Sequence, residues 1–227
     1  MKYLIIGHAR HGKDTVAEIL NKNFGMTFDS SSLAAAKIFI FDALKEKYGY
    51  ENFGACFQDR GNKRKEWHDL IVEFNKDDKT RLAKEILKSN DIYVGMRSDA
   101  ELKACLAENL FELVIGVYNP RMPEEDKESF DIDFWNSCDF VIPNIGTLED
   151  LEKKVVNCFA FVTMEHVLPS HSQLDAIARF KATTKVVNLD TLSEDSYPEL
   201  SWRDVFDIYV DGFKTGYKTK ILEYADV

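Results

Sequence analysis

The chain has 227 residues, 45% of them hydrophobic and 30% charged, with a formal net charge of −10. This is the composition of a folded soluble protein rather than a disordered one. The acidic balance argues against tight non-specific binding to a nucleic-acid polymer, and no apolar run approaches the about 18 residues of a membrane span. The cysteines at 56, 105, 138 and 158 show neither CxxC spacing nor paired histidines, which argues against a zinc site or a disulfide framework and for reduced cytoplasmic thiols.

The N-terminal run KYLIIG (2–7) ends in glycine, as a parallel strand buried on both faces does, and does not read as a signal peptide. From Thr15 to Phe24, apolar Val16, Ala17, Ile19 and Leu20 fall at helical spacing before Gly25. MTFDSSS (26–32) predicts a second short strand with a Ser-rich end, and residues 33–49 a helix closing on Gly49. Residues 50–90 are mostly helical and charge-rich, around RGNKRKEWHDLIVEF. DIYVGMRS (91–98) predicts a third strand, 100–110 its crossover helix, and FELVIGVYN (111–119) a fourth strand.

Residues 120–138 carry two prolines and six acidic side chains in the ten positions from Glu124 to Asp133, the pattern of a mobile loop over a site whose carboxylates face solvent. DFVIPNIG (139–146) predicts a fifth strand, and 147–161 a helix with Thr147 as N-cap. Strands alternating with helices imply an α/β fold with a doubly wound parallel sheet flanked by helices. Beyond this domain (1–161), FVTMEHV, SQLDAIARF and TKVVNLD suggest a strand–helix–strand unit. SEDSYPELSW and WRDVFDIYVDGF suggest a turn and a short helix. Residues 162–227 therefore form a small C-terminal α/β extension, which could extend the sheet, cover a nucleotide site or make a homodimer contact. His166 and His171 flank a proline and read as loop residues rather than a metal pair.

The chemistry concentrates in GHARHGKDT. Gly7, Gly12 and Lys13 fit the phosphate-binding pattern GxxxxGK[ST], and strand, glycine-bearing loop and helix follow in the required order. Such a loop wraps backbone N–H groups around phosphates at a helix N-terminus, with the lysine on the β- and γ-phosphates. The position after Lys13, ordinarily Ser or Thr on Mg²⁺, is Asp14, and the hydroxyl comes one residue later at Thr15. Asp14 could hold the metal directly or through water, with Thr15 supplying a hydroxyl; capping of the helix is the simpler role for Asp14. His8, Arg10 and His11 would turn their side chains to solvent while the backbone binds, although Arg10 and His11 remain candidates for the nucleotide.

GHARHGKDTVAEIL, DALKEKYGY, EWHDLIVEFNKDDKTRLAKEIL, DIYVGMRS and IPNIGTLEDLE together resemble the bacteriophage deoxynucleoside monophosphate kinases, a P-loop NTPase-type family related to adenylate and thymidylate kinases. The resemblance spans roughly residues 1–158, with GKDT its most specific part. It implies ATP and Mg²⁺ as cofactors, a nucleotide as acceptor, and a cytoplasmic enzyme, in the host cytoplasm if of phage origin. It places Arg97 after the third strand to hold the acceptor monophosphate in a DxR-like element, whose Asp is replaced here by Gly95. It makes Arg121 a lid arginine for the transferring phosphoryl and sets Asn144 in the loop facing adenine. Asp29 and Ser30, at the end of the second strand, lie where an acceptor would enter. Arg60, Arg64 and Trp67 in RGNKRKEW could clamp a phosphate and stack a base, or form an exposed helix face around one buried Trp.

Three whole-protein readings follow. The leading one is phosphorylation of a (deoxy)nucleoside monophosphate. The second moves the acceptor to a hydroxymethylated base within DNA, which the basic patch allows and the net charge opposes. The third is a nucleotide-binding module with little or no turnover.

Overall fold

The computed structural model describes residues 2–163, so the C-terminal extension expected over 162–227 lies almost wholly outside the described residues. Five strands form one sheet in the order β2-β3-β1-β4-β5, with every neighbouring pair parallel. They are β1 (Tyr3–Ile6), β2 (Phe28–Ser30), β3 (Ile92–Val94), β4 (Leu113–Tyr118) and β5 (Phe140–Pro143). All four residues of β1 are buried, because the central strand of a parallel sheet has helices over both faces. Among the described residues the architecture is the one expected from the sequence: a doubly wound parallel α/β sheet flanked by helices.

Alternation along β1 divides the core. Tyr3 and Ile5 pack with Val16, Ala17 and Leu20 of α1 (Lys13–Phe24) and with Leu151, Val155 and Phe159 of α9 (Leu148–Thr163). Leu4 and Ile6 face the opposite layer. That layer holds α2 (Ser31–Ala35), α3 (Phe41–Tyr48), α4 (Phe53–Gln58), α5 (Arg64–Phe74), α6 (Arg81–Leu87), α7 (Asp99–Ala107) and α8 (Phe134–Ser137).

Local chemistry sets the boundaries. Gly12 and Gly25, both left-handed, bracket α1, and Gly49 ends α3 the same way. Ser30 caps α2 by accepting from the Leu33 N–H, and Asn52 caps α4 by accepting from Ala55. Thr147 and Asp150 form a reciprocal cap at α9: the Asp150 N–H donates to Thr147 Oγ1, and the Thr147 N–H donates to the Asp150 carboxylate. Two sequence expectations need correction. The helix expected over 33–49 starts at Ser31 and is interrupted by a π-helical turn over Ala36–Ile40. Residues 162–163, expected to lie in a strand at the start of the C-terminal extension, continue α9. Among the described residues no helix is long and apolar enough to cross a membrane.

This topology places the C-terminal ends of β1 and β3 side by side, with β4 on the other flank of β1. The loops after those strands meet at one edge of the sheet, where ligands bind in folds of this kind.

Candidate phosphate-binding site

The loop from Gly7 to Gly12 leaves β1 and turns directly into α1. Glycine is required at both ends. Gly7 has φ 151°, and a Cβ there would run into the Val117 carbonyl oxygen of β4. Gly12 has φ 100°, and a Cβ there would collide with the Asn144 amide. Between them Arg10 also takes positive φ, at 66°, with its side chain exposed. The loop thus presses its backbone against β4 and the segment after β5, and the remaining backbone is available to an anion at the start of α1.

Lys13 is buried, and its Nζ donates to the His8 carbonyl at 2.7 Å, which folds the side chain back over the loop. Burial, and then the positive charge of Arg97, pull its pKa from the ordinary lysine value down to about 8. An anion needs the ammonium form, which prevails below about pH 8 and is lost above it. Affinity for a phosphate anion should therefore hold steady up to about pH 8 and fall above it by as much as about tenfold per pH unit. Calorimetric titration of pyrophosphate between about pH 7 and about pH 9 checks this.

Arg97 follows β3 and reaches the same place. Its Nη1 donates at 2.6 Å to Oε1 of Glu125, and the Arg64 guanidinium donates to that oxygen at 2.9 Å. The other oxygen of Glu125 accepts from the Ala9 N–H at 2.7 Å. One carboxylate thus sits between a loop amide and two guanidinium groups. Gly95, where the DxR-like pattern has Asp, has φ 89°, and a Cβ on it would lie 3.8 Å from Lys13 Cε. The nearest atom to such a Cβ would be Ser31 Oγ at 3.5 Å, an ordinary contact, so the positive φ rather than crowding is what favours glycine here.

The segment 119–133 lies across the loop. The Glu125 N–H donates to His8 Nδ1 at 3.1 Å, and the Asn119 N–H donates to His11 Nδ1 at 3.2 Å. With Nδ1 accepting, the His11 Nε2–H faces the Pro123 carbonyl at 3.3 Å. Burial lowers the pKa of both imidazoles, which favours the neutral form these bonds require. Phe130 and Ile132 anchor the far end of the segment in the core, with Phe130 against the His8 ring.

Several expected residues converge and others do not. Gly7, Gly12, Lys13, Arg97 and Arg64 meet at the loop, with Asp14 exposed and Thr15 half-buried in the first turn of α1. Asn144 holds the loop itself, donating from Nδ2 to the His11 carbonyl at 3.0 Å. Asp29 pairs with Lys37, and Ser30 is engaged in capping α2. Arg60 stacks on Phe57 at 4.2 Å and donates to its carbonyl. Arg121 is exposed.

Three expectations are corrected here. His8 and His11 do not turn to solvent but are buried beneath the 119–133 segment, where neutral imidazoles satisfy its backbone. Trp67 does not offer a face for a base: it lies in the core, 4% exposed and packed against Phe57. The acidic run is not wholly solvated, since Glu125 turns inward to Ala9, Arg97 and Arg64. Sequence reasoning missed Glu125 and His8 as site residues, and the one usable signal was the position of Glu125 in a loop predicted to cover the site.

No protein-family profile matches the chain, and no curated protein does. Among solved structures it is similar to dephospho-CoA kinase from Campylobacter jejuni, with 16% identity over 74% of this chain and 100% of that one, at a TM-score of 0.42. It is also similar to shikimate kinase from Aquifex aeolicus, with 12% identity over 73% of this chain and 99% of that one, at a TM-score of 0.38.

Proposed function

We propose that the protein transfers the γ-phosphoryl group of ATP to a (deoxy)nucleoside monophosphate. The observation that carries this reading is the convergence, at one edge of the sheet, of a glycine-framed loop with a buried Lys13 and of Arg97 and Arg64 on one carboxylate that also accepts from the loop's Ala9 N–H. Moving a phosphoryl group between two phosphates calls for alignment and concentrated positive charge more than for a protein nucleophile. A site made of loop amides, an ammonium and two guanidinium groups supplies both.

In this reading the loop backbone and Lys13 hold the donor triphosphate, and Arg97 and Arg64 face both its γ-phosphoryl group, beside the Ala9 N–H, and the acceptor phosphate to which it passes. The acceptor enters past Asp29 and Ser30 at the end of β2. Bound Mg²⁺ would supply further neutralisation of the charge on the donor phosphates. Asp14 and Thr15 are the residues that fit it, since their oxygens stand in the first turn of α1 next to the loop. Asn144 fixes the loop from the side where the donor base would lie. Arg121 would reach the transferring group only after the 119–133 segment rearranges, because its side chain is exposed in this structure.

The test is transfer of label from [γ-³²P]ATP with Mg²⁺ to a panel of ribo- and deoxynucleoside monophosphates, with hydroxymethyluracil-containing DNA alongside. Label on one or a few monophosphates is the expected result and names the acceptor. Label on DNA alone replaces the acceptor with a modified base. Bound ATP with no transfer to anything removes the enzyme reading and leaves a nucleotide-binding module.

A further inference from the structure

Glu125 is chemically out of place. It is a carboxylate in a run of otherwise solvent-facing acids, yet it is bonded through both oxygens at the centre of the cationic site. The distances of 2.6 and 2.9 Å to the two guanidinium groups and 2.7 Å to a loop N–H are those of charge-assisted hydrogen bonds to an oxyanion. Loop amides and paired arginines form the donor set that phosphate-binding sites present, and a carboxylate is the side chain most able to satisfy it. Burial works to raise the Glu125 pKa, but the hydrogen bond and charge of Arg97, helped by Ala9 and Arg64, outweigh it and hold the group below the usual carboxylate range. At neutral pH the seat is therefore filled by an anion belonging to the chain itself.

We propose that Glu125 is an intrinsic competitor for the phosphoryl seat formed by the Ala9 N–H, Arg97 and Arg64, so that the 119–133 segment holds the site shut until a phosphate displaces it. The inference rests on the reading of residues 7–15 as a phosphate loop. The segment is suited to such a role. Phe130 and Ile132 tie one end into the core, and Tyr118 at the end of β4 fixes the other. The intervening latch consists of hydrogen bonds to His8, His11, Ala9 and the two arginines. A phosphate carries more charge and more acceptor oxygens than a carboxylate, so it can take over the same donors while the anchored ends stay in place. Apparent affinity is reduced by the fraction of molecules in the open form, so removing the competitor raises it with no new contact to the ligand.

The test titrates inorganic pyrophosphate, and then Mg²⁺–ATP, into wild type, Glu125→Gln and Glu125→Ala. Hydrogen exchange of residues 120–130 is followed in the wild type with and without pyrophosphate. The proposal expects both variants to bind at least about tenfold more tightly than wild type. It also expects pyrophosphate to speed exchange at the Glu125 amide, which His8 protects in the closed form. Unchanged or weaker binding by both variants, with wild-type binding intact, overturns the competitor role and leaves the phosphate loop standing. Slower exchange over 120–130 on binding overturns it in the same way, because the segment would then close on the ligand. Absence of binding in all three proteins overturns both this inference and the phosphate-loop reading beneath it.

Discussion

Lys13→Met should lower phosphoryl transfer by about two to three orders of magnitude or more while leaving the fold intact. Met keeps the buried stem and removes only the ammonium, which in the proposed reaction neutralises charge developing on the transferring phosphoryl. Stability should move in the opposite sense from activity. The folded protein holds Lys13 with a pKa of about 8, below the ordinary lysine value, so at neutral pH folding opposes the charged form. Replacing it with a neutral side chain removes that cost and gives up one hydrogen bond to the His8 carbonyl. A melting temperature unchanged or raised, beside a collapse in transfer, is the expected pair of results. A melting temperature that falls together with activity would assign Lys13 a structural role instead.

Gly7→Ala should damage both properties. The φ of 151° lies in a region that side-chain-bearing residues rarely adopt, and the added methyl would meet the Val117 carbonyl at less than contact distance. Backbone strain and overpacking together should cost about 2–4 kcal/mol, which for a domain of this size lowers the melting temperature by roughly 5–15 °C. Because Val117 lies on β4, held between β1 and β5, and cannot yield cheaply, relief has to come from displacement of the Gly7–Gly12 loop. Anion affinity should then fall even at temperatures where the variant stays folded. Calorimetric melting and pyrophosphate titration of the same preparation measure the two effects separately.

The sheet was legible because its signals are local. KYLIIG has the continuous apolar character of a strand buried on both faces, and Gly12, Gly25 and Gly49 mark helix boundaries through backbone geometry that few other residues accept. The glycine-framed turn from β1 into α1 was legible for the same reason, since Gly7, Gly12 and Lys13 are close neighbours in the chain. What stayed hidden depends on residues far apart in sequence. Ala9 and Glu125 are separated by 116 positions, and nothing within PEEDKES distinguishes the inward carboxylate from its solvated neighbours. His8 and His11 look like exposed loop residues until the 119–133 segment is laid over them. Trp67 stands in a basic, exposed-looking stretch, and only the packing of α5 against Phe57 turns it into the core. The π-helical turn over Ala36–Ile40 likewise escapes an apolar pattern that reads as uninterrupted helix.

The most direct measurement is an isothermal titration of Mg²⁺–ATP into the wild-type protein and into Lys13→Met. One saturable site per chain with a Kd of about 1 mM or tighter in the wild type, weakened or lost in Lys13→Met, is the predicted result. Binding that ignores the substitution, or no binding to either protein, would contradict the assignment of residues 7–15 as the seat of a nucleotide's phosphates.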